Sequence, residues 1–336
     1  MVLSCHLPTR SLKYILMSKR SATARSHPNI ALIKYWGKRD VDLNLPAVPS
    51  LSLTLSQFHT TTTVNWDTKE DSFTLNGARQ NGTASHKVFQ FLNLISPERP
   101  HCQVISKNNF PTAAGLASSA SAFSALAMAG CAAARQNRTV AELSVLARRG
   151  SGSASRSLFD GWVEWRMGTR KDGLDSHGVQ IAPSKHWDVC MVMAVVSDKQ
   201  KPVSSRAGML DTQKTSPMYA AWCNTAHEDV RIAKEALLRC DLESLGQQME
   251  HSTLKMFSTM FTTNPSIRYW KPKTIALVEA VENLRRQGVP CYYTMDAGPN
   301  VKVLCHAENA SKIAVHLEQI VGTVHILEPG NGTQLI

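Results

Sequence analysis

The chain has 336 residues and a globular composition, with 43% hydrophobic and 19% charged residues. These values exclude a globally disordered protein, and the length allows one large domain or two lobes with a sizeable core. The formal net charge of +11 suits nucleic acid, an anionic membrane surface or a phosphorylated small molecule, and charge alone does not choose among them.

The first 28 residues are basic, and no Asp or Glu occurs before Asp40. This composition resembles an organelle transit peptide, but a disordered tail or translation from Met17 also explains it. We therefore assign residues 1–28 to a basic N-terminal extension.

Eight cysteines are scattered along the chain without a C-x-x-C pair. This spacing favours reduced, buried thiols in an intracellular protein over disulfides or a zinc site. Residues 112–134 carry no charge, but they are rich in Ala, Ser and Gly. We therefore predict a buried helix there rather than a membrane span.

Hydrophobic periodicity and turn signals predict alternating strands and helices in the first half of the chain. The predicted elements are a buried strand at 29–35, a half-exposed strand pair at 51–55 and 60–64, a hairpin turn at Asn76 and Gly77, a helix at 86–95, an extended segment at 102–106, a helix ending near 134, a helix at 140–149 and a strand at 161–165.

The second half begins with a buried strand, and we place a lobe boundary just before it, giving lobes at 29–187 and 188–336. The predicted elements are strands at 189–196, 291–295, 301–305 and 324–327, and amphipathic helices at 217–238, 242–260 and 272–287.

A loop of small residues at 111–121, PTAAGLASSAS, leads into the uncharged helix. Its proline fixes the backbone at the start of the loop, and Gly115 allows the backbone to come close to a ligand. Its serines lie at the helix N-terminus, where phosphate oxygens are favoured. It lacks the lysine of the common phosphate-binding loop. A phosphate cradle and an ordinary tight helix start are both compatible with these residues.

A second Gly/Ser segment at 150–157, GSGSASRS, contains Arg156. A flexible linker is the alternative, but two Ser/Gly nests and one guanidinium are what a diphosphate needs. Lys34 and Lys38 bracket two aromatic residues and a glycine, which is a denser polar cluster than solubility requires. We interpret these residues as parts of one anion site.

Asp296 ends an apolar strand and precedes the turn residues AGPN. It is a candidate catalytic carboxylate facing a cleft, although an Asx-turn would also explain an aspartate there. The loop at 197–206, SDKQKPVSSR, adds further anion-compatible groups.

Five segments together resemble the mevalonate diphosphate decarboxylase family. They are NIALIKYWGKRD at 29–40, NNFPTAAGLASS at 108–119, GSGSASRS at 150–157, the segment from Ser197 to Ser205, and DAGPN at 296–300. The resemblance implies a two-lobed α/β (α+β) GHMP kinase-like fold with the active site in the cleft between the lobes. It also implies ATP-dependent decarboxylation of mevalonate 5-diphosphate to isopentenyl diphosphate, with ADP, phosphate and CO2.

The resemblance assigns roles to the positions that match the family's motifs. Asp296 is the catalytic base, Lys34 keeps it ionised, and Arg156 holds the substrate carboxylate or the neighbouring phosphate. Further substrate contacts are Tyr35, Lys38, Ser153 and, from the second lobe, Ser204 or Ser205. The ATP contacts are Asn109, Pro111, Gly115, Ser118 and Ser119. Mg²⁺ accompanies ATP, with no protein ligand assigned.

Two positions depart from the family pattern. Ser155 stands where cysteine is frequent, and this nearly isosteric change should be harmless. Asp160 stands where a small residue is usual, and an inward-pointing carboxylate there would weaken the binding of an anionic substrate.

The alternatives are a GHMP-family small-molecule kinase, such as a mevalonate 3-kinase, and a basic nucleic-acid-binding protein. The second is disfavoured because the cations outside the first 28 residues are interleaved with acidic residues. We expect no nucleic-acid or membrane partner. Family resemblance suggests a homodimer, and the location is expected to be cytoplasmic, with mitochondrial or peroxisomal import as the alternative.

Overall fold

The computed structural model describes residues 20–110, 118–199 and 201–336. Its strands are β1 (Ser21–Ser26), β2 (Asn29–Ile33), β3 (Lys38–Asp40), β4 (Leu45–Pro46), β5 (Ser50–Thr54), β6 (Thr60–Trp66), β7 (Ser72–Leu75), β8 (Ala78–Gln80), β9 (Cys102–Asn108), β10 (Trp162–Trp165), β11 (Gly178–Ala182), β12 (Val189–Ala194), β13 (Cys291–Met295), β14 (Val301–His306), β15 (Val324–Leu327) and β16 (Gln334–Leu335). Its helices are α1 (Thr83–Ile95), α2 (Ser118–Ala133), α3 (Val140–Gly150), α4 (Ser205–Thr215), α5 (Tyr219–Leu238), α6 (Leu242–Phe261), α7 (Pro272–Arg286) and α8 (Ala310–Val321).

The larger strands form three sheets. One sheet has the order β16-β1-β6-β9-β7-β8, a second β11-β10-β5-β2 and a third β13-β14-β12-β15. A hydrophobic core joins the second and third sheets through α5 and α6; it includes Leu53 of β5, Met191 of β12 and Met249 of α6. This shared core fixes β2 close to the end of β13, and the candidate active site lies there.

The predicted helices at 86–95, 140–149, 217–238, 242–260 and 272–287 are confirmed, with ends shifted by a few residues. Helix α3 begins with a capping box, in which Thr139 and Glu142 satisfy each other's backbone N–H groups. The hairpin at Asn76 and Gly77 is also confirmed, because it joins β7 to β8. Helices α4 and α8 were not predicted.

The strand pair at 51–55 and 60–64 exists, but the prediction that it is half exposed was wrong for the first strand. Every residue of β5 is buried. The alternating serines and threonine make internal hydrogen bonds instead: Ser50 accepts from Arg156, and Thr54 donates to the carbonyl of Phe159. Alternation therefore marks a buried polar face here, not a solvated one.

Both chain ends differ from the predicted lobe organisation. Strand β1 lies within the predicted N-terminal extension and pairs with β6 along its whole length. Residues 1–19 lie outside the described residues. The glycine-rich end returns from the predicted second lobe to the first: Gly330 bonds the backbone of Thr54, and β16 pairs with β1.

The thiols and the long uncharged segment agree with the sequence interpretation where they are described. The seven cysteines of the described residues are all free, and most of them are buried. Among the described residues, no helix combines the length and apolar character that crossing a membrane requires.

A close contact between α6 and β13 provides a test of this packing. A methyl group at Gly246 would lie 2.0 Å from the ring of Tyr292. Alanine normally stabilises a helix relative to glycine by about 1 kcal/mol, but forced overlap in a packed core costs about 1–3 kcal/mol.

We therefore expect Gly246→Ala to lower the free energy of unfolding measured by urea denaturation. Its exposed neighbour provides the control, since Gln247→Ala should change that free energy by less than about 0.5 kcal/mol. A more stable Gly246→Ala variant would contradict the packing described.

Candidate active site

The centre of the site is the carboxylate of Asp296, which follows the last residue of β13. Lys34 Nζ lies 3.2 Å from its Oδ1, and Lys302 Nζ lies 3.1 Å from its Oδ2. The two lysine side chains are 1% and 2% exposed, whereas that of Asp296 is 30% exposed. The lysines thus hold the carboxylate from the protein side and leave part of it accessible.

The turn after Asp296 does not use its carboxylate. Its hydrogen bond runs from the Gly298 amide to the main-chain carbonyl of Asp296. Burial favours a higher pKa for this carboxyl group, but the charges of Lys302 and Lys34 outweigh burial and hold its pKa well below the ordinary value. Asp296 is therefore ionised at neutral pH.

Lys34 is placed by the end of β2. Its backbone N–H donates to Ser252 Oγ of α6 at 3.0 Å, and its ammonium also donates to the carbonyl of Ala31 at 2.7 Å. Burial lowers its pKa to about 8, with Asp296 opposing and Lys302 reinforcing that shift. The ammonium is therefore held at a fixed position by its carbonyl and carboxylate partners.

Arg156 is 3% exposed and follows a short 3₁₀ turn at Gly152–Ser155. Its Nε donates to Asn29 Oδ1 at 3.0 Å, and one terminal nitrogen donates to Ser50 Oγ at 2.9 Å. Both partners are neutral, so neither of them compensates the positive charge of the guanidinium. Burial lowers its pKa to about 10, and the guanidinium remains a cation that can bind an anion.

A second group of anion-compatible side chains surrounds the turn after β2. Lys38 is 4% exposed, and the buried hydroxyl of Tyr35 has no hydrogen-bond partner in the described structure. Burial, followed by the charge of Arg206, lowers the pKa of Lys38 to about 8. Gly37 has φ +105°, and a side chain there would collide with the hydroxyl of Tyr219. A buried cation and an unsatisfied hydroxyl together favour an anionic ligand.

The structure brings the other predicted substrate contacts near this region but gives some of them local partners. Ser204 accepts from the Ala207 amide and caps α4, while Ser205 accepts from Lys201 Nζ at 2.7 Å. Lys201 also donates to the carbonyl of Ala297 at 2.9 Å. The loop before α4 is thereby attached to the turn that carries the catalytic candidate.

The predicted ATP contacts divide into three groups. Asn109 is engaged with the main chain: its Oδ1 accepts from the His59 amide at 2.7 Å and its Nδ2 donates to the Gln57 carbonyl at 2.6 Å. Ser118 and Ser119 lie in the first turn of α2, where Ser151 Oγ donates to Ser119 Oγ at 3.1 Å. Pro111 and Gly115 lie outside the described residues. The sequence interpretation assigned Asn109 to a direct ATP contact and did not include these hydrogen bonds to the main chain.

The two departures from the family pattern are accommodated locally. Ser155 Oγ donates to the Gly152 carbonyl at 2.7 Å within the turn before Arg156. Asp160 Oδ1 accepts from the Gly332 amide at 2.6 Å. The concern that the Asp160 carboxylate repels an anionic substrate is therefore not supported, because the carboxylate secures the returning chain end.

Sequence reasoning missed several residues of this site. Asn29 and Ser50 hold Arg156, Lys302 holds Asp296, and the hydroxyl of Tyr219 faces Gly37 in the turn after β2. Two sequence features could have identified Asn29 and Lys302. Asn29 is a polar residue at the start of an apolar strand, and Lys302 is a lysine inside the apolar run at 301–305.

The chain has a two-lobed α/β fold, and cations from both lobes surround one ionised carboxylate. Such a fold and site define a GHMP kinase-like enzyme that acts on a small anionic substrate.

The comparisons with known proteins narrow this class. A family model described as diphosphomevalonate decarboxylase-like N-terminal domain matches residues 26–178, and one described as mevalonate 5-diphosphate decarboxylase C-terminal domain matches residues 191–330. Diphosphomevalonate decarboxylase of Candida albicans is 36% identical over 323 residues, covering 90% of this chain and 89% of that protein. The chain belongs to the mevalonate diphosphate decarboxylase family.

Solved structures agree with this assignment. Mevalonate diphosphate decarboxylase from Staphylococcus aureus is 36% identical, with a TM-score of 0.91 and coverage of 96% of this chain and 100% of that chain. A structure described as MDDEF in complex with MVAPP, AMPPCP and magnesium is 40% identical, with a TM-score of 0.89 and coverage of 95% and 99%.

The lowered lysine pKa values predict how anion binding depends on pH. Lys38, with a pKa of about 8, is mostly protonated at pH 7 and loses its charge as the pH rises through 8. An anion binds the protonated form, so its affinity should fall above pH 8, by up to about tenfold per pH unit for one lysine.

Isothermal titration with inorganic diphosphate from pH 7 to pH 9.5 measures this dependence. Lys38→Arg should weaken the decline because arginine keeps its charge, whereas Lys312→Arg on the exposed face of α8 should leave it as in the wild type. Dividing the wild-type dissociation constant by the Lys38→Arg value at the same pH cancels ionisation of the diphosphate. A ratio that stays unchanged from pH 7 to pH 9.5 would contradict this role for Lys38.

Proposed function

We propose that this protein catalyses the ATP-dependent decarboxylation of mevalonate 5-diphosphate to isopentenyl diphosphate, a step of isoprenoid and sterol biosynthesis. The observation that carries the proposal is the ionised Asp296 between Lys34 and Lys302, with Arg156 close enough for its charge to act on Asp296. Family membership gives this arrangement its chemical context.

The diphosphate is the part of the substrate that the turn after β2 suits best. Lys38 supplies a buried cation, the Tyr35 hydroxyl lacks a protein partner, and Ser153 lies in the Gly/Ser segment beside them. Tyr35 packs edge-on against Trp165 with 4.7 Å between ring centroids, which fixes its orientation. Ser204 or Ser205, at the start of α4, would add a contact from the second lobe.

Arg156 is assigned to the substrate carboxylate. Its guanidinium is fixed by Asn29 and Ser50 and packs over Trp165 at 5.8 Å, so its orientation does not depend on substrate. A planar guanidinium binds a carboxylate through two parallel hydrogen bonds. Arg156 would thereby orient the group that leaves as CO2.

ATP and Mg²⁺ are the cofactors we propose. Ser118 and Ser119 begin α2, a 16-residue helix whose N-terminus suits phosphate oxygens. Mg²⁺ is usually held by substrate phosphates, water and one or two carboxylates. The described residues contain no group of three or more metal-ligating side chains, and we assign no protein ligand. When bound with ATP, the ion would neutralise phosphate charge.

Asp296 is assigned as the general base. The substrate's 3-hydroxyl is tertiary and a very weak acid, so its O–H bond breaks as its oxygen bonds to the γ-phosphorus, and its proton passes to Asp296. The bond between the γ-phosphorus and the bridging oxygen breaks, and its electron pair leaves with ADP. Lys34 then faces growing negative charge on the phosphoryl oxygens.

Decarboxylation follows from the new leaving group. The C–O bond breaks with its electrons on phosphate, the carbon becomes electron-poor, and the bond to the neighbouring carboxylate breaks to release CO2. The electrons of that bond form the double bond of isopentenyl diphosphate. Arg156 must release the carboxylate at this point, which a cation with neutral partners allows.

Family resemblance further supports a homodimer and a cytoplasmic location as proposals. Analytical ultracentrifugation at assay concentration tests the first, and imaging of the tagged full-length chain tests the second.

The direct test incubates the purified protein with ATP, Mg²⁺ and mevalonate 5-diphosphate. We expect CO2 and ADP in equal amounts. ADP without CO2 would favour a kinase that stops at phosphorylation, and neither product would contradict the proposal.

Replacing Asp296 tests whether it is the general base. Asp296→Asn should reduce CO2 release by at least about 100-fold, because general base catalysis contributes about 10²–10⁴-fold, and should leave diphosphate binding nearly unchanged. Asp229→Asn is the matched control: Asp229 pairs with Lys255 between α5 and α6, away from the site. It should lower thermal stability but keep most of the turnover per folded molecule. Substantial turnover in Asp296→Asn would remove Asp296 from the base role.

A further inference from the structure

We infer that Lys302 is a positioning residue for the reaction: it holds Oδ2 of Asp296, so that the base stays ionised and correctly oriented until phosphoryl transfer. The inference rests on the proposed function, since it concerns the base of that reaction. Lys302 lies outside the five sequence segments that resemble the family, so the inference adds a residue to the site.

The position of Lys302 in the fold is unusual for a lysine. It lies in β14, an inner strand between β13 and β12, and the residues Val301 to Cys305 are all buried. Its backbone is paired with Thr294 on one side and Met193 on the other. Burying an ammonium group costs several kcal/mol before compensation, and apolar residues usually fill such a position at lower cost. A role in the site would explain why a lysine stands there.

One contact that compensates this charge is with the carboxylate of Asp296. Lys302 Nζ donates to Oδ2 at 3.1 Å while Lys34 donates to Oδ1 at 3.2 Å. The two lysines come from different sheets, so they approach the carboxylate from β14 and from the end of β2. A carboxylate held at both oxygens by fixed donors cannot rotate freely about its bond to Cβ.

Four cations of the described structure act on Asp296. Lys302 and Lys34 contact it, and Arg156 and Lys201 act on it at longer range. Burial alone would raise the pKa of the carboxyl group, and Lys302 is the largest influence in the opposite direction, followed by Lys34. Without Lys302, the contact with Lys34 alone would have to offset the effect of burial on the pKa of the Asp296 carboxyl group.

This arrangement has a consequence for proton transfer. Each carboxylate oxygen has two lone pairs, so a lysine on each oxygen still leaves room for one proton. Uptake of that proton would leave two ammonium groups facing a neutral acid, which is unfavourable unless new negative charge arrives nearby. Lys302 thereby links protonation of Asp296 to the arrival of the phosphoryl oxygens.

Kinetics of Lys302→Gln test the inference, because glutamine can still donate one hydrogen bond to Oδ2 but carries no charge. The assay measures CO2 release over pH 5 to 9 for the variant, for wild type and for Lys255→Gln, the matched variant at the buried Lys255–Asp229 pair. Dividing each variant's kcat/KM by the wild-type value at the same pH cancels ionisation of the substrate.

For Lys302→Gln we expect a kcat lowered about tenfold or more, with the KM for mevalonate diphosphate within about twofold of wild type. The kcat/KM ratio should fall further as the pH drops from 7 to 5, because Asp296 is then more easily protonated. Lys255→Gln should show a ratio near one at every pH.

A ratio for Lys302→Gln that does not vary with pH, or a change in KM alone, would overturn the inference in favour of a structural role. Lys302→Met is the second variant if the first does not fold, with the same expected pH dependence and a larger loss of kcat. If wild type itself releases no CO2, the proposed function fails, which is a different outcome from a pH-independent variant.

Discussion

The structure depends on the charge balance around Asp296. Lys34, Lys302 and Arg156 are almost completely buried and surround one carboxylate, so three cations and one anion leave two positive charges in excess. Uncompensated buried charge is costly. A substrate with a carboxylate, a diphosphate and an incoming phosphoryl group supplies the missing negative charge.

Neutral groups of the surrounding fold help to keep Lys34 and Arg156 in place. Lys34 is held by the carbonyl of Ala31 and by Ser252, and Arg156 is held by Asn29 and Ser50. Such neutral acceptors satisfy hydrogen-bond donors while leaving charge available for a ligand. The buried polar face of β5 and the close packing of α6 on β13 therefore serve the site as well as the core.

Much of the site could be predicted from sequence because its residues lie in contiguous motifs. Asp296, Lys34 and Arg156 stand in short segments whose residue types suit anions, and the structure places the first two in contact. Lys302 was missed because it occupies an apolar strand, and strand periodicity does not show which buried lysine has a partner. The strand at 51–55 was wrongly predicted to be half exposed, because alternation cannot distinguish solvent from a buried polar partner such as the Phe159 carbonyl that Thr54 contacts. Asn109 was assigned by motif position, although its amide secures a neighbouring loop.

We propose that the site phosphorylates the substrate's 3-hydroxyl, with Asp296 as the base, before CO2 leaves. Turnover of mevalonate 5-diphosphate labelled with ¹⁸O at the 3-hydroxyl tests it most directly, with mass analysis of the inorganic phosphate released. We expect the label to appear in inorganic phosphate in an amount equal to the CO2 formed. Unlabelled phosphate accompanied by CO2 release would contradict it, because the hydroxyl oxygen would then have left without being phosphorylated.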